Sequence, residues 1–213
     1  MNSFPRIKEE IRNALLSADF EKIAQLSLDD RKVFSILISL AYDKEDVLCW
    51  RAIEAVGKAA SAVAAEDPAS VRNIVRRLLW STSDESGGMA WSAPEMLAEI
   101  VVNTALLCMD IPPIILSLEE EEIFLKGVLW AMGRVLRAGI DVEGARDIAL
   151  QSLGHKDPAV RGLALYVLSG DKSAGFAGRI TCLVHDEGRF RIYRNHELIE
   201  TTVGDAAKEA LKC

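Results

Sequence analysis

An all-α protein, built as a superhelix of four to five helix pairs and closed by a small C-terminal β-hairpin, is the fold class this sequence predicts. Three observations carry that expectation. First, the decapeptide Leu48 to Gly57 recurs without gaps at Met89 to Ala98, Phe124 to Gly133 and Val160 to Ser169, at periods of about 41, 35 and 36 residues, the range of helical-pair repeats. Each copy carries a small or β-branched residue at its centre (Ala52, Ala93, Val128, Ala164) and an apolar residue four further on (Val56, Leu97, Met132, Leu168). Second, apolar residues recur at helical spacing almost everywhere before Gly170. Third, the texture changes after Gly170, where residues 189–193 alternate polar and apolar and residues 198–203 are rich in β-formers.

Each element has its own local signal. Ile7, Ile11, Ala14 and Leu15 mark a first helix, Phe20, Ile23 and Ala24 a short second, and Val33, Ile36, Leu37 and Leu40 a third. A long helix over about residues 45–65 carries the first copy. Asp67-Pro68 reads as an N-cap followed by proline at the first helical position, and Asp157-Pro158 repeats the device before the last copy. A helix over 68–80 leads into a polar loop, residues 81–88, and a second long helix is expected over 89–109. Ile111-Pro112-Pro113 breaks it, and Ser117-Leu118-Glu119-Glu120 reads as a capping box opening the third long helix, with Glu119–Glu122 at its positive end. Arg194-Asn195-His196 supplies the hairpin turn, and a final helix is expected from Gly204-Asp205 to about Leu211. Two domains of the chain follow: residues 1–170 as the repeat array, and residues 171–213 as a hairpin-plus-helix cap on the exposed end of its core, within one structural domain.

Composition bounds the function. The chain has 213 residues, half of them hydrophobic, and a net charge of −7. Nucleic-acid binding needs a concentrated basic surface, so an acidic chain argues against it. The four cysteines (Cys49, Cys108, Cys182, Cys213) are widely separated, with no C-x-x-C pair and no clustered histidines; free thiols in a reducing compartment is the expectation, and neither a metal nor a cofactor is implied. No positive-then-apolar leader opens the sequence and no apolar run reaches membrane-spanning length, which together predict a cytoplasmic protein without a membrane partner.

The V-R-x-x-A-x-x-V-L pattern of residues 160–168, with its alternation of short and long helices, resembles HEAT-type repeats, in the short bacterial variety named after the phycobilisome lyases. The stretch from Trp80 to Glu95, with the hairpin tail, is also similar to a family of small bacterial HEAT-like proteins without an assigned activity. The resemblance covers about residues 29–170. It implies a right-handed α-α superhelix, and HEAT-type proteins as a class are mostly binding scaffolds.

Carrying helical offsets through the copies gives columns of side chains: Trp50, Trp91, Lys126, Gly162; then Glu54, Glu95, Trp130, Tyr166; then Lys58, Glu99, Arg134, Gly170. Stacked helices would line these up as a surface of rings and charges. Against this, tryptophans in repeat proteins commonly fill space between helices, and Ser92-Ala93-Pro94-Glu95 reads as a capping box with Trp91 as its staple, which would leave Glu95 serving backbone donors. The candidate binding residues are Trp80 and Trp91, bracketing a loop with Asp84, Glu85, Gly87 and Gly88, and beside them Trp50, Glu54, Glu95 and Glu99. The glycines before a helix could hold an anion on backbone N–H groups, although Asp84 and Glu85 oppose that. No H-E-x-x-H, G-x-S-x-G or P-loop motif is present, and no catalytic residue is assigned. The expected function is a non-catalytic binding or adaptor module for a protein or peptide partner. The alternative is a ligand-handling or lyase- or chaperone-like protein with its pocket at the Trp80–Trp91 loop.

Overall fold

A computed structural model describes residues 4–82, 90–169 and 176–212. The protein is all-α with one two-stranded antiparallel hairpin at the C-terminal end. Its residues separate into two compact units, Met1–Ile111 and Pro112–Cys213.

The first unit holds α1 (Phe4–Leu16), α2 (Phe20–Asp29), α3 (Lys32–Leu40), α4 (Val47–Glu66), α5 (Pro68–Thr82), a 3-10 turn (Ala90–Ser92), α6 (Ala93–Asn103) and α7 (Ala105–Cys108). Short side chains explain why α4 is the centre of this unit. Ala52, Ala55, Ala59 and Ala60 are fully buried, and α4 packs against α1, α2, α3, α5 and α6. At Gly57 a Cβ would stand 2.5 Å from the Glu99 carbonyl oxygen, so glycine is what lets α4 and α6 approach backbone to backbone. Side-chain caps set the helix starts: Asp19 accepts from the Lys22 N–H, Asp46 from the Leu48 N–H at 2.9 Å, and Asp67 from both the N–H and the hydroxyl of Ser70 at 3.1 and 2.6 Å. The Arg51 guanidinium donates to the Leu15 and Leu16 carbonyls at 3.1 and 2.7 Å, serving the last turn of α1.

The second unit holds α8 (Pro112–Ser117), a 3-10 turn (Leu118–Glu120), α9 (Leu125–Arg137), α10 (Ala145–Ser152), α11 (Pro158–Ser169), α12 (Ala177–Thr181), β1 (Arg189–Arg194), β2 (Glu197–Thr202) and α13 (Val203–Ala210). Helices α9 and α11 pack closely because Gly133 lies under the Tyr166 ring. Asp157 accepts from the Ala159 N–H at 2.8 Å and so caps α11 as the sequence predicts. The hairpin pairs Arg189 with Thr202 through Arg194 with Glu197, and Asn195 and His196 both take positive φ (53° and 64°) in its two-residue turn. Its buried side chains are Phe190, Ile192 and Tyr193. Phe190 fills the space over Gly162 of α11, and the Trp130 indole N–H of α9 donates to the Tyr193 carbonyl at 3.3 Å. The hairpin therefore closes the α9–α11 core, the place the sequence assigns it.

Ala52, Ala93, Val128 and Ala164 are all fully buried, and so, within 3%, are Val56, Leu97, Met132 and Leu168. The echo in the sequence is an echo of core positions. Two of the four copies, on α4 and α6, pack against each other in the first unit, and the other two, on α9 and α11, do so in the second.

Two helix boundaries differ from the sequence reading. The second long helix starts at Ala93 and breaks at Thr104, whose hydroxyl donates back to the Ile100 carbonyl at 2.7 Å; such back-bonding competes with the helix ladder. The third starts at Leu125, so Ser117 caps nothing: its hydroxyl donates to the Ile114 carbonyl, and Glu119–Glu122 occupy a 3-10 turn and the bend after it. Among the described residues no helix is long and apolar enough to cross a membrane.

Candidate functional site

At one end of the first unit the α3–α4 loop meets the 3-10 turn, where the Lys44 ammonium reaches the Trp91 carbonyl. The last turn of α5 holds Trp80, which is 79% exposed, and the 3-10 turn holds Trp91, 51% exposed. Both rings are large and apolar, and both face water at elements that touch each other. Tyr42, on the α3–α4 loop, is exposed as well. Ser81 and Thr82 complete α5 by donating to the Leu78 and Leu79 carbonyls, both at 2.7 Å. Asp84, Glu85, Gly87 and Gly88 lie outside the described residues.

Beside the Trp91 backbone is a polar cluster whose carboxylate is buried. Lys44 reaches from the α3–α4 loop and donates to the Trp91 carbonyl at 2.7 Å and to Glu95 Oε1 at 2.5 Å. Its own carbonyl accepts the Trp50 indole N–H at 2.9 Å. Glu95 is 1% exposed and Ser92 is fully buried. Glu95 Oε2 has no hydrogen-bond partner, and the Ser92 hydroxyl has the Cys49 thiol beside it. Burial, and then the nearby Glu95 carboxylate, push the Cys49 thiol up to about 12, so Cys49 is a protonated, inert member of the cluster.

The S-x-x-E spacing at Ser92 and Glu95 therefore has a different use from the capping box it suggests. Ser92 sits at the N-cap position with φ −113° and ψ 14°, and its side chain makes no cap bond. Glu95 turns away from the backbone toward Lys44, where a full charge is a stronger partner than an N–H donor.

The expected surface of rings is only partly a surface. Trp50 and Trp130 are core residues, and Glu95 and Glu99 are buried; Glu54 is half-buried on α4. The physical reason is that α4 is covered by helices on several sides, so an i, i+4, i+8 stripe cannot stay wet along its length. Glu99 instead accepts from the Asn103 amide, at its carbonyl (2.8 Å) and at Oε2 (3.3 Å). Tyr166, in the second unit, is half-buried with the Arg137 guanidinium 3.6 Å from its ring centroid. Trp80 and Trp91 remain as the exposed pair, with Trp50, Lys44 and Glu95 joined beneath.

Lys44, Ser92 and Cys49 are the members of this cluster that sequence reasoning misses. Lys44 and Glu95 are 51 residues apart, on different elements, and no periodic pattern links them. The one legible trace was Ser92-x-x-Glu95 itself. Among the described residues no group of three or more His, Cys, Asp or Glu stands ready for a metal ion. The chain matches no protein-family model and no curated protein.

Proposed function

We propose that this protein is a non-catalytic binding module of the HEAT-like helical-repeat kind, which recognises a protein or peptide partner at the Trp80–Trp91 end of its first unit. The observation that carries this reading is the exposure of Trp80 and Trp91 on touching elements of a chain with few aromatics. Exposed tryptophan is costly to leave in water and dominates interface energetics where it is found, with truncation costing about 2 kcal/mol or more. The other two tryptophans are buried, which leaves this pair as the ones whose rings reach water.

A pull-down from the native cell with the full-length protein tests the reading. Trp80→Ala, and Asp84→Ala in the adjoining segment, should each lower partner recovery by about tenfold or more while far-ultraviolet circular dichroism stays unchanged. Trp80 is mostly solvent-exposed, so the fold has little to lose. Full recovery with both variants would place recognition elsewhere.

A further inference from the structure

The cluster under Trp91 is chemically incomplete. Buried polar atoms in folded proteins nearly always find a partner, yet Glu95 Oε2 has none, and the nearby Ser92 hydroxyl meets only the weakly polar thiol of Cys49. Lys44 serves only half of the carboxylate. Its ammonium is a compact point charge on a flexible stem, and it donates to Glu95 Oε1 and the Trp91 carbonyl. A guanidinium carries parallel N–H groups in a planar fork that matches both oxygens of a carboxylate.

The two partners of this ion pair are also held unequally. Glu95 is rooted in the first turn of α6 and almost fully buried, whereas the Lys44 side chain is on a loop and 30% exposed. The ammonium is near water, but withdrawing it alone would strand a buried carboxylate, so it gives way only as another cation takes its place on Glu95. Asp43 and Asp46 are exposed on that same loop, so carboxylates outnumber the one lysine there and the local field favours an incoming cation. The exposed rings of Trp91 and Tyr42 offer faces on which a guanidinium-bearing chain can stack. Arg76 and Arg77 are exposed one turn before Trp80 on α5, which gives the surface a polarity: cation-accepting at the Lys44 loop, cation-bearing at the end of α5.

We propose that this surface binds a peptide through an arginine, whose guanidinium takes the place of Lys44 on Glu95 and spans both carboxylate oxygens. The proposal rests on the reading of the Trp80–Trp91 end as the recognition site, and it names the partner's chemistry there. Lys44 is then an internal stand-in that keeps Glu95 paired until the partner arrives. The Trp91 carbonyl, which Lys44 would release, is then an acceptor for a further guanidinium N–H.

The test uses the full-length protein and three probes, Gly-Gly-Arg-Gly-Gly and its citrulline and lysine counterparts, titrated while the tryptophan indole N–H resonances are followed by NMR. The Trp91 resonance is assigned by its loss in Trp91→Phe. The arginine peptide should shift that resonance saturably and bind about tenfold tighter than the citrulline peptide, which keeps the shape without the charge. Glu95→Gln should erase the difference. Lys44→Arg should fill the fork from within, so that this variant melts no lower than the parent and no longer binds the arginine peptide. Equal binding of the arginine and citrulline peptides would overturn the proposal, and so would the absence of arginine-peptide binding at about 10 mM or undiminished binding by Lys44→Arg. Should Glu95→Gln fail to fold, Lys44→Arg decides. Loss of the partner by Trp80→Ala in the pull-down, together with indifference to arginine in the titration, would sink this inference and leave partner recognition standing.

Discussion

At the scale of residues, burial decides what each candidate side chain can do. Cys49 shows it most simply. Its thiol is buried beside Glu95, both of which disfavour the thiolate, and it ionises only near pH 12. Cys182 is exposed. Iodoacetamide at pH 8 on the folded protein should therefore modify Cys182 and spare Cys49, as read by mass spectrometry of the tryptic peptides; labelling of Cys49 at a comparable rate would mean the cluster is open to water. Trp50 and Trp130 make the same point from the other side. Each has its ring in the core and its one polar atom on a backbone carbonyl, which is how buried tryptophan is normally satisfied.

At the scale of elements, the C-terminal hairpin is the segment whose role follows most directly from its residues. Phe190 over Gly162 and Tyr193 against Trp130 cover the apolar side of α9 and α11. Deleting residues 186–213 should expose that face, including Gly162, Leu165 and Tyr166, and cause concentration-dependent association in sedimentation velocity. A truncated protein that stays monomeric and melts as before would contradict the covering role. The same joint predicts an acid limb. Arg161 donates to both Asp186 oxygens at 2.8 and 3.1 Å and holds that carboxyl below the usual range. A carboxyl with its folded pKa depressed contributes its stability above the ordinary aspartate value of about 3.9 and loses it as pH falls further, through the folded value. Asp186→Asn should lower the melting temperature at pH 7 and narrow its gap to the parent below about pH 4. A gap that stays constant across that range would show that the pair contributes nothing through charge.

At the scale of the whole molecule, the chain is two compact units, and each holds two of the four related decapeptides as a packed helix pair. Ala52 belongs to the first unit alone. Ala52→Arg adds bulk and a charge where there is no room and no partner, a cost of several kcal/mol. It should make the first unit protease-sensitive, while a fragment near Pro112–Cys213 survives limited proteolysis. Simultaneous loss of both units would show that they unfold as one, and an unchanged melt would break the alignment of the copies.

Much of the fold was legible because it rests on local chemistry. Helical spacing, the caps at Asp67 and Asp157, and the Asn195-His196 turn are decided within a few residues, and the central residues of the four copies announce a core by being small and recurring. The boundaries that misread, at Thr104 and Leu125, are places where a short-range competitor or a tertiary contact outweighs a plausible cap. The site was half legible. Trp80 and Trp91 bracket a polar loop in the sequence, but whether a tryptophan is wet or dry depends on how many helices surround its own, and α4 turned out to be enclosed. What the sequence by itself determined is the kind of elements and the positions that must be buried, since both follow from periodicity and side-chain size. Only the tertiary structure decided that Lys44 meets Glu95 across 51 residues and leaves one carboxylate oxygen unserved, because a buried charge takes its partner from whatever the folded chain brings within reach.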